Sequence, residues 1–219
     1  MKPYRIIEIK EGIFEQNNQK AQALRDELQN NNQLLINIMS SPGSGKTTTL
    51  VNTIKHLKSE INIGVMEADI DSDVDAQTIH ETGARVIQLH TGGMCHLDAE
   101  MTRQGLDALG YDDLDVIFLE NVGNLVCPAE FDTGANKNVM ILSVPEGDDK
   151  PLKYPLMFSI VDVVLLNKMD VAPYFNFDIP LFKERVKKVN PKAEIIEISA
   201  LNDQGFKPWT DWILKQVKK

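Results

Sequence analysis

The stretch that most restricts this chain is "LLINIMSSPGSGKTTT", residues 34–49. An apolar run without polar alternation, a glycine-rich loop and a helix-forming segment follow one another there, the strand–loop–helix order of an α/β protein. Gly43, Ser44, Gly45 and Lys46 are expected to close backbone N–H groups on a phosphate at a helix N-terminus, with Thr48 beside them. Lys46 would reach the outer phosphates and serve hydrolysis, and Thr47 would ligate Mg²⁺. The Walker A pattern has glycine at its first position, where this chain has Ser40.

The rest of the chain repeats that alternation. Short apolar runs at 34–39, 61–67, 84–89, 115–120, 138–144, 161–167 and 193–199 alternate with helical segments at about 45–59, 73–82, 96–109, 178–190 and 206–218. Runs apolar on both faces belong in a sheet covered on both sides, and their alternation with helices implies parallel βαβ units. The expected fold is therefore α/β: a three-layer, doubly wound, mostly parallel sheet of the P-loop NTPase type. Residues 1–32 read as a peripheral N-terminal helix, with Ile13, Phe14, Ala21, Leu24 and Leu28 at helical spacing, and 33–219 as one compact P-loop domain. A net charge of −9 argues against non-specific attraction to nucleic acid or anionic membrane. No apolar stretch approaches the roughly 20 residues of a membrane span, and "MKPYRIIEIK" is no secretory signal, so a cytoplasmic protein is expected.

"LLNKMD" supplies the base reader. Asn167, Lys168 and Asp170 stand at the C-terminal end of an apolar run, where open α/β sheets place their ligands. The Asp170 carboxylate can accept from both the ring N–H and the exocyclic amine of guanine, a donor pair adenine lacks. Ser199 and Ala200, in "ISAL", would lie beside the base through main-chain contacts. In "FLENVGN", Glu120 ends another strand and suits Mg²⁺ or its water, while Gly123 lets a backbone N–H approach the γ-phosphate. "EADIDSDVDA" adds Asp69 as a candidate for the Mg²⁺ surroundings and Asp75 for positioning water. Asp71 and Asp73 read as solvated.

The two cysteines are Cys95 and Cys127. Cys95 as a small buried hydrophobe, with His96 as a helix-start residue, is the plainer reading of the pair alone. Against it, the Gly92-Gly93 turn would set Cys95 near a helix N-terminus, where the dipole favours thiolate. Cys127 follows another strand end, in an expected loop on the same sheet edge. Only four residues separate it from Gly123, at most about 14 Å of chain. A shift of Gly123 on contacting the γ-phosphate would re-aim Cys127. Two thiolates and an imidazole are one ligand short of a closed tetrahedral zinc site, so two copies across a dimer axis could share one site. Sulfur with imidazole suits Zn²⁺ or Ni²⁺. Glu100, one turn after His96, is a possible extra ligand or an exposed carboxylate.

In order along the chain, "SSPGSGKT", "EADIDSDVDA", "TGGMCHLDAEM", "ENVGNLVCPAEFD", "EGDDKPLKYP" and "NKMD" resemble the HypB family of the SIMIBI class of P-loop NTPases, GTPases of nickel insertion into nickel–iron hydrogenase. The resemblance covers almost everything after residue 30. It implies slow hydrolysis of GTP to GDP, nickel as cargo with zinc able to occupy the site, a nucleotide-dependent homodimer, a HypA-like nickel chaperone as partner and the hydrogenase large-subunit precursor as client. It also implies that Lys153 reaches toward the other subunit's nucleotide, although "PEGDDKPLKYP" alone reads as a solvated loop. Urease-type UreG relatives carry Cys-Pro-His where this chain has Cys95-His96-Leu97, and a GTPase chaperone without metal would leave the cysteines unexplained. The four histidines, at 56, 80, 90 and 96, are scattered and no cysteine-rich motif stands near the start, so nickel storage is not expected. His56, His80 and His90 read as surface or edge residues, Trp209 and Trp212 as core.

Overall fold

The computed structural model describes residues 9–69 and 74–217, with side chains from Phe14 onward. Asp71, Asp73 and the side chain of Ile13 lie outside the described residues. The strands are β1 Leu34–Ser40, β2 Ile63–Asp69, β3 Arg85–His90, β4 Val116–Glu120, β5 Lys137–Ser143, β6 Val163–Asn167 and β7 Glu194–Glu197. The helices are α1 Ile9–Asn30, α2 Lys46–Leu57, α3 Val74–His80, α4 Ala99–Leu109, α5 Cys127–Glu130, α6 Lys150–Lys153, α7 Pro155–Ile160, α8 Ile179–Val189 and α9 Phe206–Val217. All seven strands pair parallel in the order β3-β2-β4-β1-β5-β6-β7.

The unbroken apolar runs follow from burial on both faces. In β1, Leu34, Ile36 and Ile38 pack with Leu50 and Ile54 of α2 and Trp209 of α9, while Leu35 and Met39 face the opposite layer. That layer holds Leu24 and Leu28 of α1, Leu106 of α4, Phe158 of α7 and Phe182 of α8. Trp209 and Trp212 are core residues with stacked rings, and the Trp209 indole donates to Thr53 Oγ1 at 2.9 Å. Among the described residues no helix is long and apolar enough to cross a membrane.

Three sequence expectations need correction. Residues 145–155, read as a loop, fall in a 3₁₀ turn, Val144–Glu146, then α6 and the start of α7. Pro151 and Pro155 sit in the first turns of these helices, where a missing N–H costs nothing. Cys127 likewise opens α5, not a loop. Helix α4 begins at Ala99, because Asp98 caps it by accepting from Met101 N at 2.8 Å. Cys95 and His96 thus precede the helix, and its dipole is answered by Asp98 rather than by the thiol.

Candidate functional site

Strand β1 lies at the centre of the sheet between β4 and β5, and the loop after it opens at the C-terminal edge. Gly45, at the α2 N-cap, has φ 95°, and a Cβ there would lie 2.5 Å from Asn167 Nδ2. Both the conformation and the space call for glycine. Ser40 needs no such freedom, since Gly43 and Gly45 take the positive φ angles of the loop and the Ser40 hydroxyl donates to Ser41 O at 2.8 Å.

Asn167 joins the phosphate loop to the base-side loops. Its Nδ2 donates to Ser44 O at 2.9 Å, and its Oδ1 accepts from Ala200 N at 3.0 Å and Lys168 N at 2.7 Å. Lys168 Nζ donates to Gly43 O at 2.8 Å, and Ser199 Oγ donates to Asp170 Oδ1 at 2.6 Å. A cavity of about 530 Å³ lies between these groups, lined by Gly43, Gly45, Lys46, Thr47, Thr48, Asp75, Asn167, Lys168, Asp170 and Ala200. Its size and its two polar ends suit a nucleotide.

Oxygen donors gather near its phosphate end. Glu67, Asp75 and Glu120 each offer an oxygen within 4.8 Å of the others, and Thr47 Oγ1 donates to Glu120 Oε1 at 3.1 Å. Glu67 and Glu120 are buried, and among the described residues their Oε2 atoms have no hydrogen-bond partner. Hard, unsatisfied oxygens of this kind suit Mg²⁺. Glu67 escaped the sequence reading, whereas Asp69, two residues further along β2, is not one of the clustered three. The missed signal is register: Glu67 pairs directly with Glu120 across β2 and β4.

Burial, reinforced by Glu120, pushes the Glu67 carboxyl up to about 8. Burial likewise pushes Glu120 up to about 7, against the opposing charge of Lys46. The folded state therefore holds these protons more tightly than the unfolded chain. The resulting stabilisation is full below the ordinary carboxylate range and is lost as pH rises through about 7 to 8. Urea unfolding of metal- and nucleotide-free protein is expected to show stability falling between pH 5.5 and 8.5, with a shallower fall in Glu67→Gln. Equal slopes in the two proteins would dismiss this assignment.

Gly123 is the link between the two ends of the site. A Cβ on it would meet Pro42 of the phosphate loop at 3.1–3.3 Å, tighter than an ordinary contact, so glycine lets the "ENVG" backbone lie this close without displacing Pro42. Four residues later comes Cys127, whose Sγ is 2.8 Å from Cys95 Sγ; Cys95 Sγ is 3.9 Å from His96 Nδ1. Both thiols are free and half-buried. The hydrogen bond shared with Cys95 raises the Cys127 thiol, since two thiolates this close repel unless a cation lies between them. Burial lowers the His96 imidazole, favouring the neutral form that ligates metals, and the ring stacks on Phe131 at 3.7 Å.

Other candidates stand apart. Glu100 pairs with Lys20 at 2.8 Å on the surface, and Lys153 pairs with Asp149 at 2.6 Å on α6, outside the cavity lining. His56 pairs with Asp203 at 2.7 Å, and His80 and His90 are exposed.

A family model described as "CobW/HypB/UreG, nucleotide-binding domain" matches residues 34–197. The hydrogenase maturation factor HypB of Escherichia coli is 44% identical over 216 residues, 99% of this chain and 74% of that one. The chain belongs to the HypB family. Two solved HypB structures share its fold. That from Archaeoglobus fulgidus gives a TM-score of 0.84 at 35% identity, covering 92% of this chain and 98% of its own. That from Helicobacter pylori, in complex with nickel, gives 0.87 at 36% identity, covering 93% and 95%. The match to that nucleotide-binding domain spans both the phosphate loop and "NKMD", and takes in every cavity-lining residue named above except Ala200.

Proposed function

We propose that this chain is a GTP-hydrolysing metallochaperone that couples its nucleotide cycle to dimerisation and to nickel delivery during nickel–iron hydrogenase maturation. The observation that carries this reading is the Cys95, His96 and Cys127 cluster, whose Cys127 lies four residues beyond a glycine that abuts the phosphate loop. In this reading Gly43, Ser44, Gly45 and Thr48 wrap the phosphates, Asp170 reads guanine, and Asn167 and Lys168 fix the loops on either side. Ser199 and Ala200 border the base.

Thr47, Glu120 and either Glu67 or Asp69 would hold Mg²⁺, which when bound would neutralise charge on the phosphate oxygens. Lys46 and the Gly123 amide stabilise charge that grows on the γ-phosphate, and Asp75, exposed at the cavity rim, orients the attacking water. Among the described residues the carboxylates at the phosphate end are assigned to Mg²⁺ or to holding water, which leaves none committed to taking its proton, in keeping with slow turnover. Release of the γ-phosphate frees Gly123, and the main chain passes the movement to Cys127. Losing or gaining one ligand of three, the Cys127 thiolate, converts hydrolysis into metal capture or release.

Two copies supply two thiolates and an imidazole each, enough to close a shared site on a dimer axis. Lys153 would swing from Asp149 toward the nucleotide of the second copy. A HypA-like chaperone would act as metal donor and the hydrogenase large-subunit precursor as recipient. Soft donors accept Ni²⁺ and Zn²⁺ alike, so availability decides the occupant. Metal content and molecular mass are the test, measured with and without a non-hydrolysable GTP analogue and Mg²⁺. The analogue is expected to change both nickel per chain and the dimer fraction; identical metal content in both states would rule out the coupling.

A further inference from the structure

The buried carboxamide of Asn17 touches both segments that carry the sulfur and imidazole groups. Its Oδ1 accepts from Ala99 N at 3.0 Å, the first residue of α4 and three after His96. Its Nδ2 donates to Asp132 O at 2.8 Å, five residues after Cys127. Asn17 is 7% exposed, so these two hydrogen bonds stand in place of water. One turn earlier on α1, the Phe14 ring lies 4.9 Å from Phe131, whose other neighbour is the stacked ring of His96. Arg25 extends the same tie, donating to both carboxylate oxygens of Asp132 and to Ala135 O.

We propose that Asn17 is a positioning residue of the metal site, setting the separation of Cys95 and His96 from Cys127 without touching a metal. The 95–99 and 127–132 segments are distant in sequence and meet through thiols that repel once ionised. A carboxamide anchored to the main chain of both fixes their spacing before a cation arrives, lowering the ordering cost of binding. Loss of the bridge leaves the buried Ala99 N and the part-buried Asp132 O without this partner, and the two segments can part. Groups that orient metal ligands in this indirect way typically cost about 10–100-fold in affinity when removed.

This rests on the proposed metal site, and one Ni²⁺ titration series separates the two. Full-length wild type, Asn17→Ala, Asn17→Asp and Arg103→Ala are titrated by calorimetry and by the sulfur-to-nickel charge-transfer absorption, with GTP affinity as the check on folding. Asn17→Asp keeps the acceptor for Ala99 N but sets a carboxylate against Asp132 O. Arg103→Ala cuts the Arg103–Glu27 ion pair between α4 and α1 without touching either bridge. Both Asn17 variants are expected to lose about 10–100-fold in Ni²⁺ affinity and to shift or weaken the absorption, with GTP binding intact and Arg103→Ala like wild type. Wild-type affinity and spectrum in the Asn17 variants would overturn the proposal, as would an equal loss in Arg103→Ala. A wild-type protein that binds no Ni²⁺ through Cys95 and Cys127 would instead remove the metal reading itself.

Discussion

Asp170→Asn is expected to lower GTP affinity by roughly 10³-fold or more while xanthosine triphosphate binds well, as measured by calorimetry with both nucleotides. In the proposed function the carboxylate would face two donors of guanine, and an asparagine amide would turn an N–H toward one of them. A site that leaves buried hydrogen-bonding groups mismatched rejects its ligand far more strongly than one that merely fits poorly. Xanthine carries a carbonyl where guanine carries the amine, so the same amide finds an acceptor. The substitution spares the local fold, because the Ser199 hydroxyl can still donate to the asparagine oxygen as it does to Asp170 Oδ1. Equal loss of both nucleotides would mean that Asp170 holds its loop rather than reads the base. Equal wild-type affinity for ATP and GTP would remove the guanine reading altogether.

The sheet was legible because its inner strands are covered on both faces. "LLINIM" and "DVIFLE" have no polar alternation to confuse, and β1 and β4 are buried along their whole lengths. What the sequence hid was short and locally ambiguous. Helices α6 and α7 have four and six residues, too few for a 3.6-residue period, and their prolines serve turns and helix starts equally well. The start of α4 was misplaced because Cys95 to Leu97 could continue a helix, whereas the Asp98 cap shows itself only through its bond to Met101 N.

The nucleotide cavity was legible because its parts are contiguous in sequence: "GSGKTT" and "NKMD" each carry their own spacing. Glu67 and Asn17 were not, because each acquires meaning from a partner remote in the chain. Glu67 matters through its register with Glu120, and Asn17 through main-chain groups at Ala99 and Asp132. A carboxylate at a strand end or an asparagine in a polar helix carries no local pattern. The cysteines fall between these cases, since their types suggested a metal but only folding sets their sulfurs 2.8 Å apart.

Cys95→Ala and Cys127→Ala are each expected to abolish stoichiometric Ni²⁺ and Zn²⁺ binding while GTP hydrolysis survives. Removing one of three donors takes away a coordinate bond, and its cost exceeds the roughly 10–100-fold attached to an outer partner such as Asn17. Hydrolysis is spared because Gly123 meets the phosphate loop through its backbone, which neither substitution changes. The alternative, cysteines as packing groups, predicts the reverse: metal titration unchanged and stability lowered. Burial argues against it, since both thiols are only half-buried and neither belongs to the three hydrophobic clusters of the core. Each alanine variant is therefore expected to unfold within about 1 kcal/mol of the metal-free wild type, the usual size for a substitution that opens no core cavity. With metal present the wild type alone gains stability, because an ion that binds only the folded chain shifts the equilibrium by mass action. Equal stabilisation by Ni²⁺ in wild type and both variants would place the ion elsewhere on the molecule.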